Sequence, residues 1–487
     1  MTAISPTRQE DFPNWYQEVV LPLAGHGAVR GTQVIKPWGY GAWELLQNGL
    51  NDEIKRKGAQ NFYAPLFVGM DALQSEAKHI DGFAKECAVV THSRLKEENG
   101  QLVPDGELTE PVIVRPTSEA IIGPLAKDWI HSYRDLPMKL NQWANVVRWE
   151  MRTRLFLRST EFLWQEGHTF HCSATEANAF SLEMQACYQV FLKDQLALPS
   201  IAGEKSELER FSGADHTYTL ELLMQDGKAL QGCTSHDLGQ NFSKAYDISY
   251  SDENNQLVHA HGTSWGLTTR MIGAIVMVHG DDDGLVLPPK VSPTQIVILP
   301  INPKNDPKVT EAVQEFKAAL DGLSFDQKPL RVMIDERDYL RGGAKAWEWV
   351  KKGVPIRIEI GPKDLDKSQF CLSRRDQAYG QKQFLPLDQV MQIPELLEDI
   401  HHTMYQRAQD FMNDNTFVVD NKEALMDHFS SGNSGFVTVF YAGSAEDEQL
   451  LGDHQASIRC LTQSETEGLC VFSGNATNTI AWIAKAY

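Results

Sequence analysis

The sequence predicts an α+β protein in three parts: a large antiparallel-sheet domain over residues 1–290, an α/β domain over 291–398 and a small α+β module over 399–487. Three observations carry this. Up to about Pro289, strand-like and helix-like runs come in blocks rather than in strict βαβ alternation, the pattern of helices set against an antiparallel sheet. The segment LVLPPKVSPT, with Pro288, Pro289 and Pro293, is the strongest boundary signal in the chain. Beyond it, strands and helices alternate regularly.

In chain order, Trp43, Leu46, Leu50 and Ile54 recur at helical spacing, and Gly58 follows as a stop signal. NVVRWEM and TEFLWQEGHTF read as strands. A long helix begins near Ser173, where Ser173 and Glu176 have capping-box spacing before an apolar-periodic run. GTSWGLTTRMIGAIVMV reads as a strand ending at Ser264, a turn at Gly266 and an almost wholly apolar helix. Past the proline segment come strand QIVILPI, helix PKVTEAVQEFKAAL, strand LRVMID, helix GGAKAWEWVKKG and strand IRIEI, a small α/β unit with a largely parallel sheet. From about Ile400 a helix leads into a last module ending at Tyr487.

Composition is that of a globular chain, 42% hydrophobic and 23% charged over 487 residues. No apolar run reaches the roughly 18 residues a membrane helix needs, and the acidic start lacks a secretory h-region. Seven cysteines without a CxxC pair suit a reducing cytoplasm. A net charge of −20 disfavours a polyanionic partner, but residues 301–380 hold 15 Lys and Arg against 13 Asp and Glu. Local basic surface on an acidic body can still steer a nucleic acid.

The residues that could carry chemistry lie in five short clusters. In VRWE, a strand would put Arg148 and Glu150 on one face, a grip for phosphate and amine or merely a surface ion pair. In TEFLWQEGHTF the period of two aligns Trp164, Glu166 and His168, while Leu163 and Gln165 face away. An aromatic wall, a carboxylate and an imidazole suit a small ammonium-bearing ligand better than a sheet core. Arg270 stands in the first turn of the apolar helix, where helix dipole and guanidinium both attract a polyphosphate, or from where it snorkels to the surface. RPTSEA offers Thr117 and Glu119 at a helix start, and QGCTSHDLGQNF offers Gln231, Thr234 and His236 in a polar loop.

Together, KPWGYGAWELLQNGLNDEI, RPTSEAIIGP, VVRWE, LRSTEFLWQEGHT, CTSHDLGQNF and SWGLTTRMIGAIVMVHGDDDGLVLPP resemble the prolyl-tRNA synthetases of archaeal/eukaryote-like type, from about Trp15 to Tyr487. The resemblance implies a class II synthetase catalytic domain, an anticodon-binding domain and a C-terminal module. It implies ATP, L-proline and tRNA(Pro) as substrates, with Mg²⁺, and a homodimer formed through the helix Trp43–Lys57. Thr117 and Glu119 would belong to a loop over bound proline, with Glu119 facing its ammonium group. Phe83, Trp164, Glu166, His168, His236 and Ser264 would surround the ring. Arg148 would bridge the α-phosphate and the proline carboxylate, with Glu150 beside it. Glu150, Arg158, Ser159, Gln231, Thr234, Thr268 and Arg270, with Arg148, would contact ATP, Arg270 at the terminal phosphate; Arg148 and Arg270 would be the catalytic pair. In the anticodon-binding domain, Glu336 and Arg341 are candidate base readers, and Lys345, Lys351 and Lys352 candidate phosphate contacts. The competing readings are another class II synthetase, threonyl-like, or a synthetase-like binding protein that does not catalyse.

The chain departs from that family in two places. Many relatives hold a C-terminal zinc with four cysteines, but here Ala442, Asp447 and Ser473 stand at three of the positions and only Cys470 remains. One thiolate makes no structural zinc site, so none is expected. Only 95 positions separate Glu166 from His261, too few for the editing insertion of bacterial-type relatives. The run Asp281–Asp283 before Gly284 reads as a solvated turn.

Overall fold

Apolar side chains at helical spacing build the helices around the first core. In the computed structural model, which describes residues 4–76, 86–340 and 342–487, helix α1 (Pro37–Arg56) buries Trp43, Leu46, Leu50 and Ile54 along one stripe. It opens on a proline, favoured where no intrahelical N–H bond is needed, and so starts six residues before the Trp43 that marks its pattern. Gly58 turns the chain away at φ +84°, a conformation that side chains resist. Helix α2 (Glu119–Trp129) follows the RPTSEA loop. Helix α3 (Ala174–Leu196) is capped by Ser173 Oγ, which accepts from Glu176 N at 3.2 Å. The Glu176 carboxylate turns instead to His171 Nδ1 at 3.2 Å, so the reciprocal half of the capping box does not form. Helix α4 (Arg270–His279) is buried except at Arg270 and Val278.

These helices pack on strands β1 (Gln60–Asn61), β2 (Met138–Val147), β3 (Glu161–His171), β4 (Ile201–Glu204), β5 (His216–Leu223), β6 (Ala229–Gly239) and β7 (His261–Thr268). Gly167 of β3 faces Trp265 of β7; a Cβ at Gly167 would sit 2.1 Å from the indole. Only glycine there lets the Trp265 ring cross the strand to meet Phe180 and Tyr188 of α3.

After the proline segment, β8 (Ile296–Pro300), α5 (Pro307–Asp321), β9 (Val332–Ile334), α6 (Gly342–Lys351), β10 (Ile356–Ile360), β11 (Gln369–Arg374) and β12 (Gln383–Pro386) form the second unit. Its sheet runs β9-β8-β10-β11-β12, parallel through the first three strands and antiparallel after them. Helix α7 (Ile393–Asp414) then leads to β13 (Thr416–Val418), β14 (Phe436–Phe440), β15 (Ala456–Leu469) and β16 (Ala476–Lys485). These four continue the first sheet, because Leu461 of β15 pairs with Glu204 of β4. Among the described residues the joined sheet holds eleven strands in the order β13-β14-β16-β15-β4-β5-β6-β7-β3-β2-β1, antiparallel except for the outermost pair at each end.

That continuity is sealed by charge. Glu221, fully buried on β5, takes Lys205 Nζ at 2.8 Å and Arg459 Nε from β15 at 3.1 Å. Where relatives of the resembled family carry zinc cysteines, Ser473 Oγ donates to Ala442 O at 3.1 Å and Ser473 N donates to Cys470 Sγ at 3.4 Å.

Four sequence readings change here. The strand NVVRWEM stops at Val147, so Arg148 and Glu150 lie in the following turn, where Glu150 N donates to Arg148 O at 2.7 Å. The ladder ends there because Val147 pairs with Glu161, the first residue of β3. Strand β7 does not end at Ser264; flanked on both sides, it runs through Gly266 to Thr268. Gln231, Thr234 and His236 lie in strand β6 rather than in a loop. The Asp281–Gly284 turn is an interdomain joint rather than a solvated turn: Asp281 takes Arg375 in a bidentate pair, at 2.7 Å from Nη1, and Asp282 accepts from Arg8 N at 2.8 Å. Its partners lie far away in sequence, which is why the run of acids read as free. Among the described residues no helix is long and apolar enough to cross a membrane.

Candidate active site

Strands β3, β6 and β7 lie side by side and turn one face toward a cavity of about 520 Å³. Alternation along β3 points Phe162, Trp164, Glu166 and His168 into it, while Gln165 turns behind the sheet to accept from Tyr188 Oη at 2.6 Å. His171, on the rear face, packs against Phe180 of α3, so it shares no site with His168. From β6 come Gln231, Thr234 and His236, and from β7 Ser264 and Thr268, with Arg270 at the head of α4. The loop before α2 supplies Thr117 and the first residue of α2 supplies Glu119, and the turns after β2 supply Arg148, Glu150, Arg158 and Ser159. Fifteen of the residues expected around proline and ATP thus line one cavity; Phe83 lies outside the described residues.

Charge is sorted within this space. On one side Glu119 and Glu166 are both buried, and Glu166 Oε2 faces His168 Nε2 at 3.1 Å. Burial opposes the imidazolium, but the Glu166 hydrogen bond and the charges of Glu119 and Glu166 outweigh it and raise the His168 pKa. His236 is the opposite case: burial and the nearby His168 push its pKa down to about 3, so it stays neutral and shares a hydrogen bond with Thr217 Oγ1 at 3.0 Å. On the other side stand Arg158 and Arg270, the latter donating to Leu157 O and Gln231 O at 3.4 Å each. Burial lowers the Arg270 pKa, and Arg158 adds to that.

Arg148 lies between the two groups. Burial lowers its pKa to about 10, Glu119 and Glu166 oppose that, and Arg270 reinforces it. Its Nε donates to Pro116 O at 3.0 Å, and its guanidinium lies over the Phe162 and Trp164 rings at 5.6 and 5.5 Å. The Ser159 and Ser264 hydroxyls are buried in the cavity wall without a protein partner, free to meet a ligand. Glu150 lines the same cavity, and its charge opposes the fall of the Arg270 pKa. Among the described residues no three His, Cys, Asp or Glu side chains converge as a metal site.

Several lining residues escaped the sequence reading. Phe162 shares the β3 alternation and was legible there. The loop with Glu209, Arg210, Phe211 and Ser212 carries no motif, yet Phe211 packs on His236 at 4.7 Å between ring centres. Outside the lining itself, Gln142 and Ser118, both fully buried, hold Glu166 from beside it.

The expected tRNA contacts are dispersed. Glu336 is exposed at a second cavity, whereas Lys345 is buried there with Nζ donating to Asp335 O at 3.1 Å. Lys351 ends α6 and Lys352 follows it, with Lys352 Nζ 4.6 Å from the Trp349 ring centre. Arg341 lies outside the described residues.

Comparison with known proteins matches the two main units to families. Residues 103–279 match the tRNA synthetase class II core domain (G, H, P, S and T), and residues 295–394 match the anticodon binding domain. The chain is 50% identical to the proline--tRNA ligase of Protochlamydia amoebophila, covering 100% of this chain and 99% of that one. It is 47% identical to the enzyme of that name from Akkermansia muciniphila and 44% identical to that from Bdellovibrio bacteriovorus, with the same coverage of both chains.

Proposed function

The chain belongs to the proline--tRNA ligase family, and from that premise we propose which of its residues activate proline with ATP and transfer it to tRNA(Pro). The observation that carries the reading is the position of Arg148 between buried carboxylates and a cluster of guanidinium groups. Glu119, with Thr117, accepts from the proline ammonium, and Trp164, Glu166, His168, His236 and Ser264 enclose the ring. Phe83 joins them by family resemblance. Glu150, Arg158, Ser159, Gln231, Thr234, Thr268 and Arg270 bind ATP.

A carboxylate is already a nucleophile, so attack on the α-phosphate needs no base. The protein contributes alignment and charge. Arg148 holds the attacking carboxylate against the α-phosphate, and Arg270 holds the leaving pyrophosphate. Mg²⁺, which neutralises phosphate charge when bound, would be held from the protein side by Glu150, a carboxylate that lines the cavity with Arg148, Arg158 and Arg270. The tRNA ribose hydroxyl then takes the prolyl group and releases AMP. ATP–pyrophosphate exchange with a panel of amino acids tests this: proline is expected to drive it and threonine not. Exchange with threonine rather than proline would favour the threonyl-like reading, and none with any amino acid the non-catalytic one.

The archaeal/eukaryote-like type is supported by the short stretch between the cavity strand β3 and β7, which leaves no room for an editing insertion. A hydrophobic pocket separates substrates only about 10–200-fold per methylene, so alanine is expected to be misactivated. Alanyl-tRNA(Pro) should therefore survive incubation with the purified protein; fast hydrolysis would place editing within this chain. A homodimer through α1 fits the exposed Tyr40 in its first turn and Val34 just before it, and seven cysteines without a CxxC pair fit the cytoplasm. Lys351, Lys352 and Glu336, with Arg341 and Lys345, remain the proposed tRNA contacts of the second unit.

A further inference from the structure

Beside the cavity a single buried amide links two segments of the proline side to a third segment outside it. Gln142, fully buried on β2, stands directly opposite Glu166 in the β2–β3 ladder. Its Oε1 accepts from Ala64 N at 3.0 Å, which fixes the orientation of the amide and aims Nε2 at the site. Nε2 donates to Ser118 Oγ at 2.8 Å and to Glu166 Oε1. Ser118 Oγ in turn donates to the same Glu166 oxygen at 2.5 Å. Glu166 Oε1 thus has both acceptor positions filled by the protein, leaving Oε2 to face His168 and the cavity.

We propose that Gln142 is a positioning residue for proline: with Ser118 it locks the Glu166 carboxylate and ties the Thr117–Glu119 loop to strand β3. The inference rests on the reading of Glu119 and Glu166 as proline contacts. Ser118 separates Thr117 from Glu119, so a bond that holds Ser118 also sets where the Glu119 carboxylate meets the ammonium. Ala64, on a third segment, is held as well: Arg115 Nη1 donates to Ala64 O at 2.7 Å. The amide is therefore anchored on a frame that does not include the ligand. A carboxylate left to rotate in a low-dielectric pocket meets its ligand only after being ordered, and that ordering weakens binding. On the guanidinium side, Arg270 is held outside this frame, by Leu157 O and Gln231 O.

The test is proline-dependent ATP–pyrophosphate exchange with Gln142→Ala, Gln142→Glu and Ser118→Ala. Gln142→Glu keeps the side-chain volume, so it reports on the donors even where the alanine variant folds poorly. Hydrogen bonds to a charged group are worth about 10–100-fold, so KM for proline is expected to rise at least about tenfold in each variant. KM for ATP should stay within about twofold of wild type. Because both donors serve one oxygen, Gln142→Ala combined with Ser118→Ala should raise KM for proline by much less than the product of the single effects. An unchanged KM for proline in folded Gln142→Glu, or equal rises in the two KM values, would overturn the proposal. Absence of proline-dependent exchange in the wild-type protein would instead sink the functional reading beneath it.

Discussion

Arg148→Ala should abolish proline-dependent ATP–pyrophosphate exchange, with a loss of at least about 10²–10³-fold. The reaction brings two anions together, a carboxylate and an α-phosphate, and their repulsion is what the site must overcome. A guanidinium fork spans both with parallel hydrogen bonds, which a point charge cannot do. Its position near Glu119 and Glu166 on one side and Arg270 on the other is the place where such a bridge is needed. With a pKa of about 10 it remains charged at neutral pH despite burial. Arg148→Lys should recover only part of the rate, since it restores charge without the fork. Exchange near the wild-type rate in Arg148→Ala would remove Arg148 from the chemistry.

Loss of Glu221 should produce the largest change in stability. Its carboxylate is fully buried between Lys205 and Arg459, both nearly so, and it also accepts from Thr219 Oγ1 at 3.0 Å. Burial pushes its pKa up, but the charges of Lys205 and Arg459 outweigh that and leave it below the usual carboxylate value. A folded pKa below the unfolded one stabilises at neutral pH, and that contribution is lost as the pH falls through the folded pKa. Glu221→Leu leaves two buried cations without a counter-charge, a change that costs about 3–5 kcal/mol. The urea midpoint is expected to fall accordingly, and the segment after Asn415 should become open to protease first, because Arg459 carries the joint to β15. Exchange should suffer as well, since Arg270 then faces Arg158 and Arg459 without the Glu221 charge. An unchanged urea midpoint would show that the joint does not depend on this ion cluster.

Local patterns made much of the fold and the site legible. The helical spacing of Trp43, Leu46, Leu50 and Ile54 marks α1, and Ser173 marks the start of α3, because these signals act within one or two turns. The alternation of Trp164, Glu166 and His168 on β3 assigns them to one face before any partner strand is known. What sequence could not reach depends on pairing between distant segments. Arg148 lies in a turn because β3 starts at Glu161, and Gly266 stays in β7 because β3 and β6 hold it from both sides.

The sequence by itself determined most element types, the family and most of the side chains offered to the cavity, since each follows from local periodicity or from contiguous motifs. Only the tertiary structure decided that the C-terminal strands extend the first sheet, that Asp281 clamps Arg375, and that Gln142 and Ser118 converge on one oxygen of Glu166. Each of these is a contact between groups distant along the chain, and such contacts exist only once the folded backbone has brought the two together.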